Sequence, residues 1–98
     1  MARAELGVRK DAAGYDALAW ALHSAGRDRE ARSYSDRALR ISSVDPRFEW
    51  HAAAIAAALG LRTRAIDLLS DLMARSPRFD PLQSARATAL LSSLRTTR

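Results

Sequence analysis

Apolar side chains recur along this chain every three or four residues, and no stretch alternates apolar with polar over the length of a strand. The pattern predicts helices over 14–25, 28–42, 45–59, 63–75 and 80–94. The first carries Tyr15, Leu18, Leu22 and Ala25 on one stripe and stops at Gly26, a residue that tolerates left-handed backbone. The second holds Ala31, Tyr34, Ala38 and Ile41 in register, with Asp28 and Glu30 in its first turn and Arg40 in its last, as the helix dipole favours. Asp45-Pro46 opens the third, Asp as N-cap and Pro at the first helical position. That helix is dominated by Ala52, Ala53, Ala54, Ala56, Ala57 and Ala58 and ends at Gly60, so neighbouring helices can approach it closely. The fourth carries Ala65, Ile66, Leu68, Leu69, Leu72 and Met73 and is broken by Ser76-Pro77. Asp80-Pro81-Leu82-Gln83 reads as a capping box for the fifth, which aligns Leu82, Ala85, Ala89 and Leu90.

The two tight turns are copies of each other. Gly26 and Ala31 recur as Gly60 and Ala65, 34 residues on in both cases, with the glycine between two apolar-periodic segments and the alanine just inside the second. A helix-turn-helix unit of 34 residues is the period of the tetratricopeptide repeat.

Set against that family's pattern, residues 12–45 resemble one full repeat at Tyr15, Leu18, Ala19, Leu22, Gly26, Ala31, Ala38 and Leu39, and residues 46–79 resemble a second at Ala53, Gly60, Ala65, Leu69 and Pro77. The second departs where Ala52 and Ala56 replace larger residues, where Glu49 takes an aromatic slot and where Leu72 replaces a small residue; in the first, Ser43 stands in the closing proline's slot. One period earlier, Ala4 falls on the small position late in a second helix, so residues 2–9 look like the tail of a preceding repeat. Residues 80–95 look like the solvating helix that closes such arrays. The chain thus resembles the C-terminal end of a longer bacterial tetratricopeptide array. The resemblance implies an all-α, right-handed α-solenoid: two antiparallel helix hairpins, a partial N-terminal helix and a capping helix in one domain over residues 1–98. It also implies a protein-interaction module rather than an enzyme, its partner a peptide, another protein or the remainder of a larger array.

Composition narrows the alternatives. No cysteine is present, which removes disulfides and thiolate metal sites. The first ten residues carry Arg3, Glu5, Arg9 and Lys10 with no apolar segment of signal-peptide type behind them, and the apolar run 52–61 is about half a membrane span. The expectation is a cytoplasmic chain with no membrane partner. The formal charge of +5 raises nucleic acid as a ligand. Its arginines, however, are dispersed among acids at helical spacing, as in Asp28/Arg32, Asp36/Arg40 and Asp71/Arg75, which is the arrangement of a solvated helix face. The alternative reading is therefore a basic module binding RNA or DNA through Arg32, Arg37, Arg40, Arg62, Arg64 and Arg75 on the second helices.

In the family the first helix of each hairpin lines a concave groove. Helical phase puts Asp16, Trp20 and His23 on one stripe, and the matching stripe a repeat later holds Trp50, Ala54 and Ala57, flanked by Arg47 and His51. Two tryptophans, two histidines, an aspartate and an arginine over a floor of small residues suit a peptide-binding surface. Equally, Trp20 and Trp50 fill space between adjacent hairpins. His23 and His51 have no metal-ligand spacing, and neither a nucleophile turn nor a phosphate loop is present, so no metal, cofactor or catalytic residue is expected. The face that a preceding repeat would cover has only residues 2–9 to shield it, which predicts weak self-association through the N-terminal edge.

Overall fold

The computed structural model describes residues 11–42, 45–76 and 80–96. The expected fragment over 2–9, Ser43 and the helix-breaking Pro77 lie outside them. The described residues form five helices and no strand: α1 (Ala12–Ser24), α2 (Asp28–Ile41), α3 (Pro46–Ala58), α4 (Arg62–Arg75) and α5 (Pro81–Thr96). Each helix packs on its successor, most extensively α1 on α2 and α3 on α4, and α1 also meets α3. The result is two helical hairpins laid side by side, with α5 against the second.

Local chemistry sets the helix ends. Asp11, not anticipated as a cap, accepts the Gly14 N–H at 2.7 Å and starts α1 two residues earlier than its apolar stripe suggests. Asp45 caps α3 through the Arg47 N–H, with Pro46 in the first turn. Asp80 accepts from the Gln83 N–H at 2.9 Å, but the reciprocal half of the capping box is not made: the Asp80 N–H turns to Ser84 Oγ, and Gln83 Oε1 is buried without a partner. At the hairpin turns Gly26 and Gly60 sit at φ +79° and +77°, conformations that cost an L side chain about 1–2 kcal/mol. Around them the same bonds recur. Arg27 N–H reaches Leu22 O and Gly26 N–H reaches His23 O at 2.8 and 3.0 Å; Leu61 N–H reaches Ala56 O and Gly60 N–H reaches Ala57 O at 2.9 and 3.1 Å. Each pair is a Schellman closure.

The 34-residue spacing persists in the core. Ala19, Ala53 and Ala87 are wholly buried, one on each of α1, α3 and α5, and so are Ala31 and Ala65 on α2 and α4. A methyl group is all that these crossings hold, so the helices close to contact distance. The core accordingly runs as three linked clusters. Ala12 and Ala38 hold Phe48; Ala19 and Ala31 hold Ile55; and Trp50, Ala53, Leu69 and Leu72 hold Ala87 and Leu91.

The last helix breaks the period. Leu82, Ala85 and Ala89 occupy the positions of Phe48, His51 and Ile55, yet all three are exposed, Leu82 to 59%. The buried face of α5 is instead Ala87 and Leu91 with Leu90 and Leu94 beside them, so the expected stripe is wrong in three of its four residues. The three leucines near the C-terminal end of α5 remove more apolar surface against α4 than Leu82 and two alanines would. Arg62 Nε donating to Leu94 O at 2.7 Å and Arg95 reaching Ser70 Oγ at 3.2 Å hold that orientation.

Ala31→Leu should overpack the α1–α2 crossing and cost roughly 1–3 kcal/mol in chemical denaturation. An unchanged midpoint would reject the assigned close contact at Ala31.

Candidate functional site

Asp16, Trp20 and His23 follow one another at i, i+4 and i+7 along α1, and α3 brings His51 to them. Both oxygens of the buried Asp16 carboxylate accept from His51 Nδ1, at 2.9 and 2.8 Å. The His51 ring in turn stacks on the Trp20 indole, with centroids 4.0 Å apart and planes at 23°. His23 lies on the same indole at 4.9 Å, and its Nδ1 pairs with the Asp28 carboxylate in the first turn of α2. The cluster thus ties α1 to α3 through Asp16–His51 and α1 to α2 through His23–Asp28. A carboxylate on Nδ1 orients each imidazole and leaves Nε2 as the nitrogen available to a ligand.

Arg47 stands at the rim. Its guanidinium bonds the Asp45 carboxylate, Nη2 to Oδ2 at 3.2 Å, and lies 5.8 Å over the Phe48 ring. Bonding to Asp45 raises its pKa, and the charge of Asp16 contributes to that shift.

Trp50 does not join this surface. It is 6% exposed and packs with Leu69, Leu72, Ala87 and Leu91 under α5, which decides for this residue between a groove contact and a space filler. Trp50 is repeat-equivalent to Asp16, and both are buried where one first helix meets the next. The predicted stripe is real as a helical face, but its leading residue lies beneath the neighbouring helix, so Trp20 and His23 on α1, with the partly buried Ala54 and Ala57 on α3, continue it toward solvent. Trp50 Nε1 has no hydrogen-bond partner, a cost the indole's apolar burial offsets.

Of a second polar cluster the sequence signalled the Asp71/Arg75 spacing but not its link to Glu49. Glu49 is 4% exposed between α3 and α4 and reaches Arg75 Nη2 at 2.7 Å, while Asp71 meets the same guanidinium at 2.6 Å. Burial, and then a hydrogen bond with Asp71, push the Glu49 carboxyl up to about 7 against the pull of Arg75. The group edges a depression of about 520 Å³ whose other walls are Thr63, Arg64, Asp67, Leu68 and Asp71.

The arginines of the alternative nucleic-acid surface are mostly occupied within the protein. Arg64 crosses between hairpins to Asp36 at 2.7 Å, and Arg32 approaches the same carboxylate at 3.7 Å. Arg62 and Arg75 are engaged as described, and Arg37 lies over the Tyr15 and Tyr34 rings at 5.7 and 5.4 Å. Of the three intrahelical pairs expected from spacing only Asp71/Arg75 forms; Asp28 turns to His23, and Asp36 to Arg32 and Arg64. Among the described residues no group of three or more His, Cys, Asp or Glu could hold a metal ion, and no helix is long and apolar enough to cross a membrane.

Trp50→Ala should empty part of the α3–α4–α5 core and cost roughly 3–5 kcal/mol of stability, read by urea denaturation. Glu49 makes a separate prediction. Its folded pKa of about 7 lies above its ordinary value of 4.5, so its contribution is complete below pH 4.5 and is lost as pH rises through 7. Glu49→Gln keeps the shape of the protonated acid and should match the wild type near pH 5. At pH 8 it should exceed the wild type in unfolding free energy by on the order of 2–3 kcal/mol.

Comparison of the chain with protein-family models, with curated proteins and with solved structures finds no match.

Proposed function

We propose that this chain is a short tetratricopeptide-like α-solenoid that binds a peptide or a segment of another protein across its first helices, without catalysis or cofactor. Trp20, His23 and His51 form the recognition surface, Asp16 orients His51 from beneath it, and Arg47 stands at its edge. Trp50 supports the surface from beneath as core. The observation that carries the reading is the half-buried Trp20 indole flanked by two imidazoles, each oriented by its own carboxylate, at the junction of α1 with α3. A rigid aromatic with oriented polar neighbours supplies contact area at small entropic cost. The duplicated turns and the alanine columns at 34-residue spacing support the repeat assignment.

Phosphate binding through the second helices is less favoured, because Arg62, Arg64 and Arg75 would have to leave bonds at 2.6–2.7 Å. The two readings separate on one set of variants. Peptides selected from a random library on the immobilised protein should lose at least tenfold in affinity against Trp20→Ala and against His51→Ala, about 1.4 kcal/mol each, measured by fluorescence anisotropy. Arg40→Glu should leave their binding unchanged. Equal binding to the Trp20 variant, together with an RNA oligonucleotide that binds with steep salt dependence and is lost with Arg40→Glu, would reverse the assignment.

A further inference from the structure

The outer edge of hairpin one differs from its counterpart on hairpin two in what it faces. On hairpin two, the stripe Arg64, Leu68, Asp71 and Arg75 of α4 is engaged: Arg64 crosses to Asp36 of α2, and Asp71 and Arg75 are tied up with Glu49. Above it, Phe48 and Ile55 of α3 bury into the first hairpin. The equivalent stripe one repeat earlier is Glu30, Tyr34, Arg37 and Ile41 of α2, and no described hairpin precedes it. Ile41 is 56% exposed there, and the Ile55 position is an exposed Ala21.

We infer that this edge of α2 docks a second copy of the chain, in an isologous two-fold contact. Tyr34 stacks on Tyr15 at 6.3 Å, and the Arg37 guanidinium lies over both rings with no carboxylate partner among the described residues. A flat, apolar and cationic platform is thereby held in place. Glu30 and Arg37 are seven residues apart on that face, with Tyr34 near the midpoint. Two α2 helices antiparallel about an axis through Tyr34 therefore set Glu30 of each copy against Arg37 of the other, so the stripe is complementary to itself in charge. Among the described residues Glu30 is bound to Arg27 alone, at 2.7 Å, in a pair more than half exposed on both sides, and such a pair is worth little to keep. A two-fold contact uses the same patch on both copies and leaves neither patch free. The contact therefore ends at two copies instead of growing into a filament. Trp20 stacks on His51 at the junction of α1 with α3, and His23 lies on Asp28 at the opposite end of α2 from Ile41.

Sedimentation equilibrium of the full chain from micromolar to millimolar concentration tests this. The wild type should fit a monomer–dimer equilibrium. Arg37→Glu and Ile41→Lys should each raise the dimer dissociation constant at least tenfold, and the charge swap Glu30→Arg with Arg37→Glu should bring it back toward the wild-type value. Arg29→Glu, the same change of charge on the outward face of α2, should leave it unaltered. A protein that stays monomeric throughout overturns the inference. Masses beyond a dimer, or an Arg29 variant as weak as the Arg37 variant, overturn it as well.

Discussion

Alanine at the helix crossings is the constraint on which the remaining geometry depends. Ala19 and Ala31 share one buried cluster, and Ala53 and Ala65 are wholly buried one period on, so the helices of each hairpin meet over small side chains. Only then do the facing positions on either side become shallow sockets that one large side chain from the next hairpin can fill. Phe48 enters one such socket and Ile55 the other. A larger residue at Ala31 would hold the helices apart and leave Ile55 without walls. The left-handed glycines at 26 and 60 serve the same end, since they reverse the chain in the fewest residues and bring the alanines opposite each other.

Polar contacts between the hairpins are few, and they fall on opposite margins of the packed interface. Asp16 with His51 joins the first helices, and Asp36 with Arg64 joins the second ones. The His51 ring that closes the first of these is also the ring stacked on Trp20, so the proposed recognition surface and the joint between hairpins share a side chain. A ligand that competes for His51 would therefore act on the angle between the hairpins as well as on the surface itself. Glu49 sits on another boundary, between α3 and α4. Burial pushes its carboxyl up to about 7, so its charge changes near neutrality.

Much of this was legible beforehand, and the exceptions share a cause. Five helices, both glycine turns and the Asp45 and Asp80 caps follow from local periodicity and capping chemistry, which need no knowledge of neighbours. Helical phase also found the stripe of Asp16, Trp20 and His23. It misjudged Trp50 because a stripe defines a face and not what lies over it: the same phase that puts Trp20 beside His51 puts Trp50 under α5. The orientation of α5 was unreadable for a related reason. Its stripe Leu82, Ala85, Ala89 and its stripe Ala87, Leu90, Leu91, Leu94 are both apolar, and the choice between them is made by the surface of α4. Pairings such as His23 with Asp28 and Arg64 with Asp36 depend on tertiary proximity that spacing along one helix does not carry.

The junction of Ala19, Ala31 and Ile55 joins α1, α2 and α3 at one point and tests the account most directly. Methyl-resolved nuclear Overhauser spectroscopy of the full chain in solution should show cross-peaks linking the Ala19, Ala31 and Ile55 methyl groups to one another. Their absence, with the Ile55 methyls accessible to a soluble paramagnetic probe, would contradict the close packing of the first hairpin and the seating of the second upon it.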